Sequence, residues 1–402
     1  MHRRRIFFPF ILLFTAALAC ANPLGEGGNA PANVETIVAR TLQALTAPVH
    51  GSGDAPLPST PSLLPHSMYF LKDDSAGVMQ VFRLEKEGKT VTQVTFEPAD
   101  VDGYDVASVS GSVVYASNRQ LLLVETDGSD RRLLVEGGTS GVSYPVFSPD
   151  EQTIAYGADG LYFYSLTTGQ SNRVLENKLE EIGNGTLLLR EQYLPESYSA
   201  DGTKIAIKIG NYEGATAAIY YPNGNTLILP HDNKGSMIIC CNDVEWAANG
   251  SAFYAASPIS GMFDAGLWRM DAATGNVTTL LIGNAYTDPA NLANAPFPAP
   301  DGQLYFFFAS LPNPNRNDFP NGAPLQLVRS ALDGVTNRTI LRPETFQSIN
   351  EVLWAPDASF VIVAMAPDEN EYRGGAARLV YTDGGKSIVP LVPFAAQMKW
   401  GP

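Results

Sequence analysis

Three carboxylates fall close together in Asp100-Val101-Asp102-Gly103-Tyr104-Asp105. Hard oxygen donors in a Gly-containing turn suit Ca²⁺, although the full spacing and terminal Glu of an EF-hand loop are missing. A second set of polar residues is spread along the chain at regular intervals. Ser143, Asn242, Asn294 and Asn350 each stand four places before a recurring anchor, and Asp243, Glu351 and Gln397 stand three places before one. Side chains that recur at one register can converge on one mouth of a symmetric fold, where they suit a sugar, a peptide or a cation. Two carboxylates from different repeats, such as Asp243 and Glu351, also suit general acid–base chemistry on a glycan. Histidine is scarce, with His50, His66 and His231 the only ones beyond the N-terminal segment. A three-His metal centre or a Ser-His-Asp triad is hard to build from these.

The anchors themselves read Phe147-Ser148-Pro149-Asp150, Tyr198-Ser199-Ala200-Asp201-Gly202, Trp246-Ala247-Ala248-Asn249-Gly250, Pro298-Ala299-Pro300-Asp301-Gly302 and Trp354-Ala355-Pro356-Asp357, with a shortened copy at Trp400-Gly401-Pro402. In each full copy the first residue, aromatic in all but the Pro298 copy, ends a strand, a turn follows, and an apolar strand begins. The spacing of 46 to 56 residues is that of four-stranded propeller blades. From Ser67 onward, short apolar or alternating runs are bounded by turn residues. They divide into seven blades, the second having Ser108-Val109-Ser110-Gly111 in the anchor's place. The first blade starts at Met68 without the strand that should carry its anchor, and Gln397-Met398-Lys399-Trp400 supplies that strand. The expectation is an all-β, seven-bladed β-propeller over residues 67–402, closed by its C-terminal strand.

The segment before it reads differently. Arg3-Arg4-Arg5 followed by an apolar run from Ile6 to Leu18 has the form of a signal peptide over residues 1–19. Cys20, directly after Ala17-Leu18-Ala19, resembles the lipidated Cys of a bacterial lipoprotein, with Ala where Leu is preferred; simple secretion is the alternative. Residues 20–66 form a tether. Val34, Ile37, Val38, Thr41, Leu42 and Leu45 lie at helical spacing, so a short amphipathic helix is expected over 33–46, followed by a Pro-rich linker. Cys240 and Cys241 are either two ordinary thiols on opposite faces of a strand or a vicinal disulfide. A formal charge of -15 opposes nucleic acid and anionic lipid headgroups as partners.

The anchors, with Asp-Gly or Asp-Ala-Thr-Gly turns at Asp127-Gly128, Asp271 to Gly275, Asp333-Gly334 and Asp383-Gly384, resemble the TolB-like repeat over about 335 residues. That repeat is also found in the propellers of the prolyl oligopeptidase and dipeptidyl peptidase families. Their hydrolase domains carry a G-x-S-x-G elbow, which does not occur in this chain, so peptidase chemistry of that kind is not expected. The resemblance implies an exported, envelope-facing protein that binds a protein, peptide or glycan without chemistry. The alternative is a glycan-active hydrolase or lyase using channel carboxylates. The candidate ligand residues are Ser143, Tyr193, Asn242, Asp243, Asn294, Asn350, Glu351 and Gln397. The loop Leu311 to Pro324, with Asn315, Arg316, Asp318 and Phe319, is the candidate partner contact.

Overall fold

The computed structural model describes residues 62–211, 214–232, 235–236, 244–257, 265–283, 289–312, 322–367 and 373–402. All of them belong to one compact unit, Thr60–Pro402. The signal segment, Cys20, the expected helix over 33–46, Cys240, Cys241, Asn242, Asp243 and the four loop residues at 315–319 lie outside the described residues. Among the described residues, no helix is long and apolar enough to cross a membrane.

The anchor phrases do two jobs: all five full copies close a turn, and the three Trp copies tie neighbouring sheets together. The Asp or Asn closes the turn: the side-chain oxygen of Asp150, Asp201, Asn249, Asp301 and Asp357 accepts the backbone N–H two residues on, at 3.0 Å in all five copies. The next residue has positive φ, which explains Gly202, Gly250 and Gly302; Glu151 and Ala358 adopt the same conformation with a side chain. The Trp side chain, in turn, pins one sheet to the one before it. The Trp246 indole N–H donates to the Ser197 carbonyl, that of Trp354 to Ala295, and that of Trp400 to Trp354, at 3.4, 3.2 and 2.7 Å.

The Ser148 hydroxyl and then the Gln152 amide hold the Asp150 carboxyl below its ordinary value, Ser199 and Thr203 do the same for Asp201, and Ser359 for Asp357. A carboxyl depressed by folding contributes stability that is whole above the unfolded pKa of about 4 and is lost as pH falls through the folded value. The urea midpoint is therefore expected to fall steadily from about pH 5 to pH 2. Asp201→Asn should flatten that slope, since the natural Asn249 already makes the same turn without a charge. An unchanged slope in that variant would remove these turns from the account.

Among the described residues the strands fall into seven antiparallel sheets of four, counting the shared strand Val389–Trp400 in two of them, beside a two-stranded ribbon of His231–Asp232 and Gly235–Ser236. Its first half is the outer strand of the last sheet, pairing Val389 with Leu379 and Ala395 with Gly375. Its second half is the inner strand of the first sheet, pairing Ala396 with Leu71, Lys399 with Tyr69 and Trp400 with Met68. The closing strand expected from the sequence is in place. In the second sheet Val106 stands where the anchor would be, at the end of the inner strand Val101–Val106. Residues 178–181 add a fifth strand to the fourth sheet by pairing with the start of Leu187–Tyr198.

Seven apolar clusters join the sheets in succession. Ala155 and Leu161 of the third sheet pack with Ile205, Ile207 and Tyr220 of the fourth. Tyr254 and Leu267 of the fifth pack with Leu304, Phe306 and Val328 of the sixth. Phe360, Ile362 and Ala364 of the seventh then pack with Met68, Phe70 and Phe82 of the first. Fully burying a Leu, Val or Phe contributes about 1.5–3 kcal/mol, so each interface is held by several such terms. Because the last sheet packs on the first, the series is cyclic, and the fold is a β-propeller.

Candidate binding site where the inner strands begin

The inner strands are not regular. Their pairing with the second strand slips between Val101 and Gly103, Ser143 and Val146, Pro195 and Ser197, Asn294 and Phe297, and Ile349 and Glu351. The first sheet slips between Tyr69 and Leu71, opposite Gln397. Each slip is a β-bulge close to the register three places before the anchor. Tyr144, Ala295 and Gln397 stand at that register with φ of 50°, 51° and 50°. Left-handed backbone is costly for residues other than Gly, and the bulge turns their side chains away from the strand's alternation.

The bulges bring four sheets together at one place. The Gln397 carboxamide of the first sheet donates to the Asp102 carbonyl of the second at 3.3 Å, and the Tyr104 hydroxyl donates back to the Gln397 carbonyl at 2.6 Å. From the loop between the second and third strands of the seventh sheet, the Arg373 guanidinium reaches the same Asp102 carbonyl at 3.5 Å. A Cβ on Gly103 would lie 3.7 Å from the Gln397 Oε1 and 3.8 Å from the Tyr144 backbone nitrogen of the third sheet. Tyr144 is 49% exposed there. Burial, followed by the charges of Glu351 and Asp105, pushes the Tyr104 hydroxyl well up, so it stays a proton donor. Burial and the neighbouring Asp100 raise the Asp102 carboxyl, with Arg373 acting against them.

The other expected residues are placed as follows. The Asn350 carboxamide donates to the Gly374 carbonyl at 2.8 Å, which ties the inner strand to the Arg373 loop. Asn294 is buried, and the Ser143 hydroxyl lies 3.5 Å from the Gly157 carbonyl within its own sheet. Tyr193 is a core residue, 3% exposed, packed among the third and fourth sheets. Its hydroxyl donates to Glu191 at 2.6 Å, and Glu191 pairs with Lys178 at 2.8 Å.

The Asp100–Asp105 segment is corrected by the structure. Val101–Val106 is the inner strand of the second sheet and not a turn, and its carboxylates are engaged separately. Asp100 accepts the Met79 amide at 2.9 Å, and Asp105 is held by the Lys399 ammonium at 2.9 Å and the Phe147 amide at 2.7 Å. Among the described residues no three His, Cys, Asp or Glu side chains gather into a metal-binding group. Sequence reasoning missed Tyr144, Tyr104 and Arg373. Gly103 inside a strand was the one available signal of a bulge.

No protein-family model matches the chain, and no curated protein matches it in sequence. Among solved structures it is similar to an oligogalacturonate lyase in complex with manganese, at 12% identity and a TM-score of 0.52 over 82% of this chain and 86% of that one. The oligogalacturonate lyase of Vibrio parahaemolyticus is similar at 12% identity, with a TM-score of 0.50 and the same coverage. TolB from Acinetobacter baumannii is also a neighbour, at 14% identity and a TM-score of 0.43 over 87% of this chain and 89% of that one. At these identities the likeness is one of fold.

Proposed function

We propose that this protein is a non-enzymatic binding component of the cell envelope that receives a protein, peptide or glycan where the inner strands begin. The observation that carries this reading is the meeting of Gln397, Asp102, Tyr144 and Arg373, contributed by four sheets, at one partly exposed place. A rigid ring that holds the Gln397 amide and the Arg373 guanidinium on the Asp102 carbonyl, close to the backbone of the half-exposed Tyr144, is preorganised for recognition. The Arg3-Arg4-Arg5 and apolar start, with Cys20 behind it, supports export and a lipid anchor. The test is capture from envelope extract by the intact protein, by Tyr144→Ala/Arg373→Ala, and by a form lacking residues 311–324. Capture should fall at least about tenfold in the double variant, a loss of about 1.4 kcal/mol or more. Equal capture by all three forms would refute the reading.

A second reading, a glycan-active hydrolase or lyase, is favoured by the raised Asp102 carboxyl beside Arg373 and Tyr104. The described residues supply no counterpart for the manganese of the neighbouring lyase structure, so no metal-assisted step is drawn from it. Incubation with pectic and neutral oligosaccharides, followed by reducing-end and unsaturated-product assays, decides it; no product from any of them removes the enzyme.

A further inference from the structure

We propose that two copies of this chain associate through the hairpin of residues 178–191, its edge strands pairing antiparallel about a twofold axis at Leu179. Lys178–Glu181 pairs on one side with the start of Leu187–Tyr198, and among the described residues no strand pairs with its other side. The hairpin turns at Asn184 and Gly185, both at positive φ (54° and 75°), as a type I′ turn requires and Asn-Gly favours. Beside the turn the Ile182 amide donates to the Thr186 carbonyl at 3.0 Å. Hydrogen-bonded and non-hydrogen-bonded pairs alternate along an antiparallel ladder. Counting back from Ile182, Glu180 is bonded to Leu188, and the amide and carbonyl of Leu179 face the free edge.

The side chains of the hairpin select the partner. Leu179, Ile182, Leu187 and Leu189 are between 39% and 60% exposed. Leu179 stands directly opposite Leu189, and Leu187 follows two places along, so the three leucines share one face. Charges on an edge strand ordinarily keep it from pairing. Here they are complementary to themselves. An axis at Leu179 sets Lys178 of each copy opposite Glu180 of the other, and lines up Leu189, Leu179, Leu179 and Leu189 as one row across four strands. An axis at Lys178, Glu180 or Glu181 would set a like charge opposite itself, which is unfavourable. Within each hairpin Lys178 also pairs with Glu191, and Glu180 with Arg190, so the joined edges form a network of charges. Main-chain bonds and one leucine row make a small interface, so the dimer is a reversible one.

The experiment is sedimentation equilibrium of the full chain. The expected result is a monomer–dimer equilibrium with a dissociation constant below about 100 μM. Leu179→Asp sets two carboxylates on the axis, and Leu179→Pro removes the amide that crosses it. Each should raise the constant at least about tenfold. Thermal melting separates loss of the interface from loss of the fold, and Leu189→Ser serves if neither variant folds. In a mixture of isotopically heavy and unlabelled chains, a zero-length carbodiimide should join Lys178 of one isotope to Glu180 of the other. A chain that stays monomeric over that range overturns the proposal. So does a dimer that variants melting like the parent leave intact, or one whose cross-link joins other residues. A monomer whose capture of envelope protein falls with Leu179→Asp assigns the hairpin to a different partner and removes the second copy.

Discussion

A chain shortened by residues 396–402 is expected to lose cooperative unfolding and to self-associate. Those residues form the inner strand of the first sheet, pairing with Met68, Tyr69 and Leu71. Without them the Met68–Asp73 strand exposes a full row of unpaired backbone groups, an invitation to edge-to-edge aggregation. Met398 and Trp400 also leave the cluster shared by the first and seventh sheets, and the Gly401 amide no longer reaches the Ser67 carbonyl at 2.9 Å. Trp400→Ala, which keeps the strand, should cost about 3 kcal/mol, the lower end for a large aromatic because this ring is only partly buried. Size-exclusion chromatography and a thermal melt check both. A truncated monomer melting within a few degrees of the parent would show that the ring does not depend on this strand.

Replacing Asp105 should have the next largest effect. Its carboxylate, 14% exposed, joins three sheets: it lies on the second, pairs with Lys399 of the first at 2.9 Å, and accepts the Phe147 amide of the third at 2.7 Å. Asp105→Ala leaves the Lys399 ammonium without this partner and strands an amide, so a loss of about 2–4 kcal/mol is expected. Asp105→Asn retains an acceptor for the amide and should lose less. A double-mutant cycle with Lys399→Met, followed by urea unfolding, isolates the ionic part. If Asp105→Ala unfolds within about 0.5 kcal/mol of the parent, the three-sheet link is energetically idle.

The architecture was legible because its signals are local. An aromatic strand end, an Asx turn and a positive-φ Gly recur as a phrase, and each has a mechanical role that the structure shows at Trp354, Asp201 and Gly202. The closing strand was legible for the same reason, since Trp400 carries the anchor that Met68 lacks. The site was read less well. Counting three or four residues back from each anchor pointed to Gln397, Asn350 and Glu351, but it assumed regular strands. The bulges break that alternation, and they arise from packing between sheets, which leaves little trace at Tyr144 or Ala295. Tyr193 reads in the sequence as part of a loop reaching the channel mouth; it lies instead inside the strand Leu187–Tyr198, buried, with its hydroxyl on Glu191. Arg373 enters from a loop of another sheet, a contact with no sequence signal.

The strand Val389–Trp400 also sets the order of assembly. Its pairing with Met68–Asp73 spans nearly the whole propeller in sequence, so the largest loop-closure entropy in the molecule falls on the final step. During synthesis the N-terminal sheet waits, incomplete, until the last residues leave the ribosome. The ring can therefore close only once residues 396–402 are in place, however far the intervening sheets have folded by then.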